Sequence, residues 1–407
     1  MLRTTPKINK IYILIRAKDK EAAFDRVTSE IIESKVFKCL KEMLGESYES
    51  FIRSKLVPIV GNIHEPNLGM DSIIAHQVAQ EIDLIVDSAA NITFDLRYDL
   101  ALEANVNGPY QLMLFAKKCK KLKLLVHYST AYVNGEREGL IYEKPFTMGE
   151  SITKERVTSH SPSTKFPSLN VSNELDFVSK LKNAIENNDT FDKIMKDLGP
   201  ERVIDPLLIF YGKGEYPCMF GDPSSLVDVV PVDVVVNTTM TAIAKHGYLQ
   251  IPELNVYHAT SSYMNPFLEL QLFNYCYEYF NSSPFVNSKG DQMKIKKMIY
   301  FDNMSDFSNY ISKKLLKEEE VQDLKAQMRI KRKVKYLENF SKLYEPYTFY
   351  KGWFHNGNMR KLMENMSEEE RENFDIDVSK INWRDYFVGV HILGVKENAL
   401  NGKSTVH

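Results

Sequence analysis

Residues Lys123–Gly135 read KLLVHYSTAYVNG: an apolar run, two adjacent hydroxyl residues, and a turn through Asn134-Gly135. A strand buried on both faces of a parallel sheet reads as a short continuous hydrophobic stretch, and open α/β sheets place their chemistry just beyond the strand's carboxyl end. Ser129 and Thr130 stand at that position. Taken alone, the stretch reads equally well as a buried strand closing on a polar turn, so its neighbours decide.

Upstream, short apolar runs alternate with amphipathic segments, the signature of βαβ units. Ile11–Ile15, Leu56–Val60, Leu84–Val86 and Leu124–Val126 are strand-like. Between them, Lys20–Leu44 carries Ala23, Val27, Ile31, Phe37 and Leu40, and Tyr98–Cys119 carries Leu102, Val106, Tyr110, Met113 and Leu114, spacings that predict helices covering the sheet. Pro206–Tyr211 and the Val-rich stretch Val227–Val236 continue the mixed pattern, before a strand-like Asn255–Thr260. Ser151–Ser172 is rich in Ser, Thr, Lys and Pro and reads as a loop or disordered segment. Asn173 is the predicted cap of a helix whose apolar face is Leu175, Val178, Leu181 and Ile185. Beyond Ser262 aromatics cluster in Phe273–Phe280 and Tyr344–Trp353, around a charged helical stretch, which marks a second, mostly helical domain.

A chain of 407 residues, 43% hydrophobic and 26% charged, is a globular protein of more than one domain. A net charge of −2 gives no basis for nucleic-acid binding, whose phosphates call for a basic face. Four cysteines, Cys39, Cys119, Cys218 and Cys276, are far apart with no CxxC pair, so they read as reduced thiols, neither a disulfide framework nor a zinc site. No stretch reaches about eighteen uninterrupted apolar residues, and MLRTTPKINK lacks a secretory hydrophobic core, so the chain is read as cytoplasmic without a transmembrane segment. The basic runs Lys294–Lys297 and Arg329–Lys335 leave open a peripheral contact with an anionic membrane such as the endoplasmic reticulum. The second run reads more simply as a solvated helix face.

Arg16 follows the first apolar run. In a dinucleotide-binding sheet an arginine there accommodates a 2'-phosphate, which points to NADPH; a lone arginine after a strand is otherwise a surface residue. Gly61-Asn62-Ile63 after the second run places Asn62 and Ile63 beside an adenine. Asp87-Ser88-Ala89-Ala90 after the third offers Ala89 and Ala90 where a cofactor must approach closely, and Asn105 lies in the helix that follows.

Taken in order, these pieces resemble the extended short-chain dehydrogenases. The segments KINKIYILIRAKD, VDSAANITFDLRYDLALEANVNGP, HYSTAYVNG, VIDPLLIFYGKGEYPCMFGDP and VVPVDVVVN resemble the alcohol-forming fatty acyl-CoA reductases, especially the plant members. YEPYTFYKGWFHNGNMRKL and INWRDYFVGVHILGV resemble that family's C-terminal domain. The resemblance implies an α/β fold, an incomplete Rossmann-type parallel sheet followed by a mostly helical C-terminal domain. It implies an NADPH-binding reductase domain over residues 1–262, a connecting segment over 263–309 and a C-terminal domain over 310–407. It further implies reduction of a long-chain acyl-CoA through the aldehyde to a primary alcohol, with Thr130 as the carbonyl-polarising hydroxyl and Ser129 beside it.

Two family features are not found. No glycine-rich turn precedes the strand that ends at Arg16, and Gly212-Lys213-Gly214 meets Pro217 without a third glycine, so no backbone cradle for a pyrophosphate is evident. Nor does a Tyr-x-x-x-Lys follow Thr130, since Tyr132 and Tyr142 are followed four residues on by Glu136 and Phe146. Tyr310/Lys314 and Tyr347/Lys351 match elsewhere, away from the hydroxyl strand. The passage from KDLGPER to VIDPLL suggests an internal deletion near Arg202. Without the first strand, the second and fourth of the family order lose their shared partner and expose backbone edges. The expectation is therefore weak or absent NADPH binding and low activity, with a non-catalytic relative of the family as the alternative.

Overall fold

The computed structural model describes residues 1–91, 97–135, 137–147, 149, 170–184, 205–287, 289–318 and 324–400. Two compact units emerge: one of Met1–Asn91, Arg97–Ser129 and Ala242–Ile251, the other holding Thr130–Thr241 and Pro252–His407.

In the first unit the apolar runs form β1 (Ile11–Ile15), β2 (Leu56–Val60), β3 (Leu84–Asp87) and β4 (Leu124–His127). β1 pairs in parallel with β2, Ile11 opposite Leu56, and β3 pairs in parallel with β4, Leu84 opposite Leu124. Among the described residues the two pairs share no ladder, so β1 and β3 each keep one unpaired edge. This is the break expected where a shared central strand is missing.

Alternation along β1 serves two cores, as the pleat of a sheet covered on both faces requires. Tyr12 and Leu14 pack with Ile59, Val78, Leu112 and Phe115, a core that Ile85 of β3 also joins. Ile11, Ile13 and Ile15 pack with Val27, Ile32, Leu40 and Ile52. Parallel pairing needs crossover helices, and the helix Ser72–Glu81 connects β2 to β3. Its start is fixed by Asp71, whose carboxylate accepts from the Ile73 and Ile74 N–H groups.

Both long helices read from the sequence are broken. Lys20–Val27 is helical, but a π-helical stretch, Thr28–Ile32, follows, and helix resumes only at Lys38–Leu44. The Thr28 and Ser29 hydroxyls donate back to the Phe24 and Asp25 carbonyls, a competition that loosens the helical ladder. Tyr98–Leu102 passes through the π-helical Glu103–Asn107 into Gly108–Ala116. There Pro109 has no N–H to continue the α-helical pattern.

The second unit holds β5 (Gly139–Ile141) paired in parallel with β8 (Gly352–Phe354), and β6 (Met219–Phe220) with β7 (Tyr300–Phe301). Its core is aromatic: Phe267 is fully enclosed, with its ring 4.8 Å from Phe387, 5.2 Å from Trp383 and 5.9 Å from Tyr275. Pro206–Tyr211 is helical, within Asp205–Gly212, as are Val232–Thr241, the second unit's part of the helix Val232–Leu249, and Glu269–Ser282, Met304–Glu318 and Leu324–Thr348. The basic run Arg329–Lys335 lies on the last of these, with Lys331, Arg332, Lys333 and Lys335 exposed.

Two expectations are corrected. Asn255–Thr260 forms no strand, because side chains replace its ladder: Glu143 accepts from the His258 N–H, while Asn358 and Asn356 donate to the Val256 and Thr260 carbonyls. The helix predicted from Asn173 begins earlier, at Val171, since the Asn170 side chain accepts from the Asn173 N–H and is the cap. Most of Ser151–Ser172 and the junction near Arg202 lie outside the described residues.

Gly61 shows how tightly the turn after β2 is packed. A Cβ there would stand 2.5 Å from both Leu14 Cδ1 and the Leu68 carbonyl. Gly61→Ala is expected to destabilise the chain by about 1–3 kcal/mol, the cost of overpacking, measured by denaturant midpoint. An unchanged midpoint would contradict the packing.

Candidate active site

The predicted residues follow the strand ends. Arg16 comes directly after β1, exposed, and its carbonyl accepts from Arg26 Nη1 at 2.9 Å, which ties the strand end to the first helix. After β2, Ile63 packs against Gly108, its Cγ2 3.3 Å from where a Cβ would stand. The Asn62 amide donates to Glu65 at 2.9 Å, so its donor serves its own loop rather than an outside base. After β3, Ala89 and Ala90 are exposed and the Ala89 N–H donates to Asp87 Oδ1 at 3.2 Å.

One segment gathers these loops. Asn105 accepts from the Asn91 N–H at 2.8 Å and donates to the Asn91 carbonyl at 3.1 Å, clamping the loop after β3. Asn107 donates to the His64 carbonyl at 3.1 Å, clamping the loop after β2. The π-helical Glu103–Asn107 thus holds two strand-end loops together, which gives Asn105 a bracing role.

Ser129 is the last residue of the first unit's Arg97–Ser129 stretch, and Thr130 is the first of the second unit's Thr130–Thr241 stretch. Thr130 has extended backbone, and its hydroxyl oxygen accepts from the Tyr132 N–H at 3.2 Å, capping the 3-10 turn Ala131–Asn134. That bond leaves the hydroxyl hydrogen available to donate, as a carbonyl-polarising group must. Gly135 ends the turn at φ 57°, where glycine carries no Cβ penalty.

Tyr347 packs beside this turn, against Tyr132, but not on a Tyr-x-x-x-Lys helix face. The Tyr132 ring is enclosed by Tyr347, Tyr350 and Phe354, at 5.0, 5.4 and 5.3 Å. Its hydroxyl accepts from the Asp228 N–H, and burial, reinforced by the Asp228 carboxylate, holds the phenol well above its ordinary pKa. Lys351 lies past the end of the helix Leu324–Thr348, so it does not share a helix face with Tyr347.

Sequence reasoning missed Asp87 and His127. They are opposite each other on the last rung of the β3–β4 ladder, and His127 Nδ1 is 2.7 Å from Asp87 Oδ2. The available signal was two neighbouring strand runs, LIVD and LLVH, each ending on an ionisable residue.

Arg16, exposed after β1, Ile63 after β2 and the small, exposed Ala89-Ala90 loop after β3 are the residues that would hold the adenosine end of a nicotinamide dinucleotide. No backbone cradle for the pyrophosphate is found among the described residues, nor any cluster suited to a metal ion.

Two family profiles, each described as male sterility protein and the first an NAD-binding one, match residues 1–198 and 306–401. The chain is 38% identical to fatty acyl-CoA reductase 2, chloroplastic, of Arabidopsis thaliana, across 99% of this chain and 76% of that protein. The chain belongs to the fatty acyl-CoA reductase family. This family member is also 31% identical to the alcohol-forming fatty acyl-CoA reductase of Simmondsia chinensis, across 98% of this chain and 94% of that one. A solved reductase domain of a nonribosomal peptide synthetase from Mycobacterium tuberculosis shares the fold, with a TM-score of 0.52 at 17% identity over 95% of this chain and 86% of that one. The alignment with the chloroplastic reductase runs over 472 residues, and 472 less 407 leaves at least 65 positions at which this family member has none. No helix among the described residues is long and apolar enough to cross a membrane.

Proposed function

We propose that this chain reduces long-chain acyl-CoA to the primary alcohol with NADPH as cofactor, at a low rate. The reading is carried by the Thr130 hydroxyl, fixed by the Tyr132 N–H on the segment that leaves β4, in a chain whose relatives are named fatty acyl-CoA reductases. When bound, the nicotinamide supplies the hydride. Arg16, exposed at the end of β1, supports a 2'-phosphate and hence NADPH over NADH. Thr130, with Ser129 beside it, donates a hydrogen bond to the thioester carbonyl oxygen and holds the negative charge that develops there. The low rate follows from the pyrophosphate cradle not found among the described residues and from the Tyr-x-x-x-Lys that does not follow Thr130, whose residues we place as lost near Arg202.

The test is chromatographic detection of fatty alcohol from purified chain, long-chain acyl-CoA and NADPH concentrated enough to fill a weak site. Thr130→Ala is expected to lower product by about 10²-fold, the usual cost of removing one such donor. No product from the unaltered chain, or equal product from both, would overturn the proposal. The separated β1–β2 and β3–β4 pairs favour a second reading, a non-catalytic member that retains acyl-CoA binding. Saturable acyl-CoA binding without any alcohol would establish it.

A further inference from the structure

We propose that His127 is a catalytic residue of this site, donating from Nε2 to the acyl carbonyl oxygen, and that Asp87 is the residue that positions its ring. The inference rests on the reductase reading above and adds the proton donor that reading lacks.

The first argument is the layout of the pair. Asp87 and His127 share the last rung of a parallel ladder, and side chains opposite each other on a rung project to the same face. Asp87 is buried, its side chain 2% exposed, whereas the imidazole is 43% exposed. A carboxylate in back and a half-exposed ring in front is the arrangement in which a second group fixes an imidazole's orientation and leaves its other nitrogen for chemistry. Both carboxylate oxygens are engaged, Oδ1 by the Ala89 N–H at 3.2 Å and Oδ2 by His127 Nδ1 at 2.7 Å, so the carboxylate plane is set. Among the described residues Nδ1 is the ring nitrogen with a partner, which leaves Nε2 directed away from Asp87.

The second argument is burial. A buried carboxylate without a partner is costly, and His127 is the cation-capable side chain at salt-bridge distance from Asp87 among the described residues. A protonated ring donates from both nitrogens, Nδ1–H to Asp87 and Nε2–H outward.

The third is the chemistry the site must perform. Ser129 is two residues beyond His127 in the same unit, so the imidazole lies at the strand end that leads into Ser129. The enclosed Tyr132 phenol cannot reach outward to serve as donor. A bound nicotinamide would supply hydride to the carbonyl carbon, and the carbonyl π pair would then move to oxygen. The Nε2–H bond breaks, an O–H bond forms, and the N–H electron pair stays on Nε2. The neutral imidazole remains bonded to Asp87 through Nδ1–H.

The test needs no turnover. A long-chain methyl ketone carrying a ¹³C carbonyl is added to the full chain with ¹⁵N-labelled histidine. The expected result is a downfield carbonyl shift together with a shift of the His127 Nε2 resonance. His127→Asn keeps an amide near the Nδ1 position for Asp87 and removes the outward donor, so the carbonyl shift should vanish. His127→Gln puts an amide near the Nε2 position and should restore part of it. Asp87→Asn should alter the His127 Nδ1–H signature, which a merely space-filling aspartate would leave alone. Ketone binding with the same carbonyl shift in H127N, or with His127 Nε2 unmoved, overturns the proposal and leaves the reductase reading intact. If H127N does not fold, the Nε2 resonance of the unaltered chain decides. No ketone binding at all removes the reading and the proposal together.

Discussion

Titrated with NADPH in a calorimeter, the purified chain is expected to bind with a dissociation constant of about 1 mM or weaker. A dinucleotide is held at three places: its adenosine end, its pyrophosphate and its nicotinamide. Arg16 and Ile63 are the residues proposed to hold the adenosine end, although the Asn62 amide is committed to Glu65. Among the described residues the pyrophosphate has no counterpart, and β1 and β3 share no strand whose following turn could bind it. A charge-assisted hydrogen bond contributes about 1.5–3 kcal/mol, so losing two costs about 3–6 kcal/mol, or roughly 10²- to 10⁴-fold in affinity. Starting from a micromolar site, that loss reaches the millimolar range. A micromolar constant would show that another part of the chain cradles the phosphates, and the argument from the open edges would fail.

The strands were legible in the sequence because each is a short apolar run long enough to cross the sheet once. Ile11–Ile15 and Leu56–Val60 match the observed elements residue for residue, and β3 and β4 extend one residue further, to Asp87 and His127. That extra residue in each is where the charged pair lies. Apolar periodicity ends a strand at its last hydrophobic side chain, whereas the ladder continues to the next hydrogen-bonded rung. The split into two pairs was legible for a different reason: strand order in such sheets is constrained enough that one missing strand dictates which edges are bared.

Periodicity failed where side chains compete with the backbone. Lys20–Leu44 has the apolar spacing of one helix, and Ala23, Val27 and Leu40 are buried as that spacing requires. Spacing says nothing about the Thr28 and Ser29 hydroxyls that bond back to the turn before them. Asn255–Thr260 failed in the same way, its strand-like composition served by Glu143, Asn356 and Asn358 from distant positions. At the site, the resemblance singled out Thr130 from the order of motifs. It could not show that Asn105 braces the loop after β3, since that depends on Asn91 being brought within hydrogen-bond reach.

Between about pH 5 and pH 8 the chain is expected to lose stability steadily, and Glu269→Gln to remove most of that loss. Glu269 opens the helix Glu269–Ser282 yet is only 4% exposed, inside the aromatic core of the second unit. Burial, with a smaller contribution from the Asp222 carboxylate, pushes its pKa up to about 8. A helix N-terminus favours negative charge by about 0.3–1 kcal/mol, too little to offset removal from water. The folded chain therefore keeps the proton on Glu269 up to about pH 8, whereas the unfolded chain releases it near the ordinary value of 4.5. In that window the unfolded state binds fewer protons, so stability is full below pH 4.5 and falls with rising pH until the folded carboxyl ionises. At about 1.4 kcal/mol per pH unit the loss amounts to roughly 5 kcal/mol across the window. Asp228, also raised by burial, acts in the same direction and remains in the variant, so some slope should persist there. Gln keeps the shape and a donor without the ionisation, so thermal unfolding of E269Q should vary far less with pH and stand higher than the unaltered chain at pH 8. Parallel pH profiles for the two proteins would mean that Glu269 is ionised in the folded core and that the burial argument is wrong.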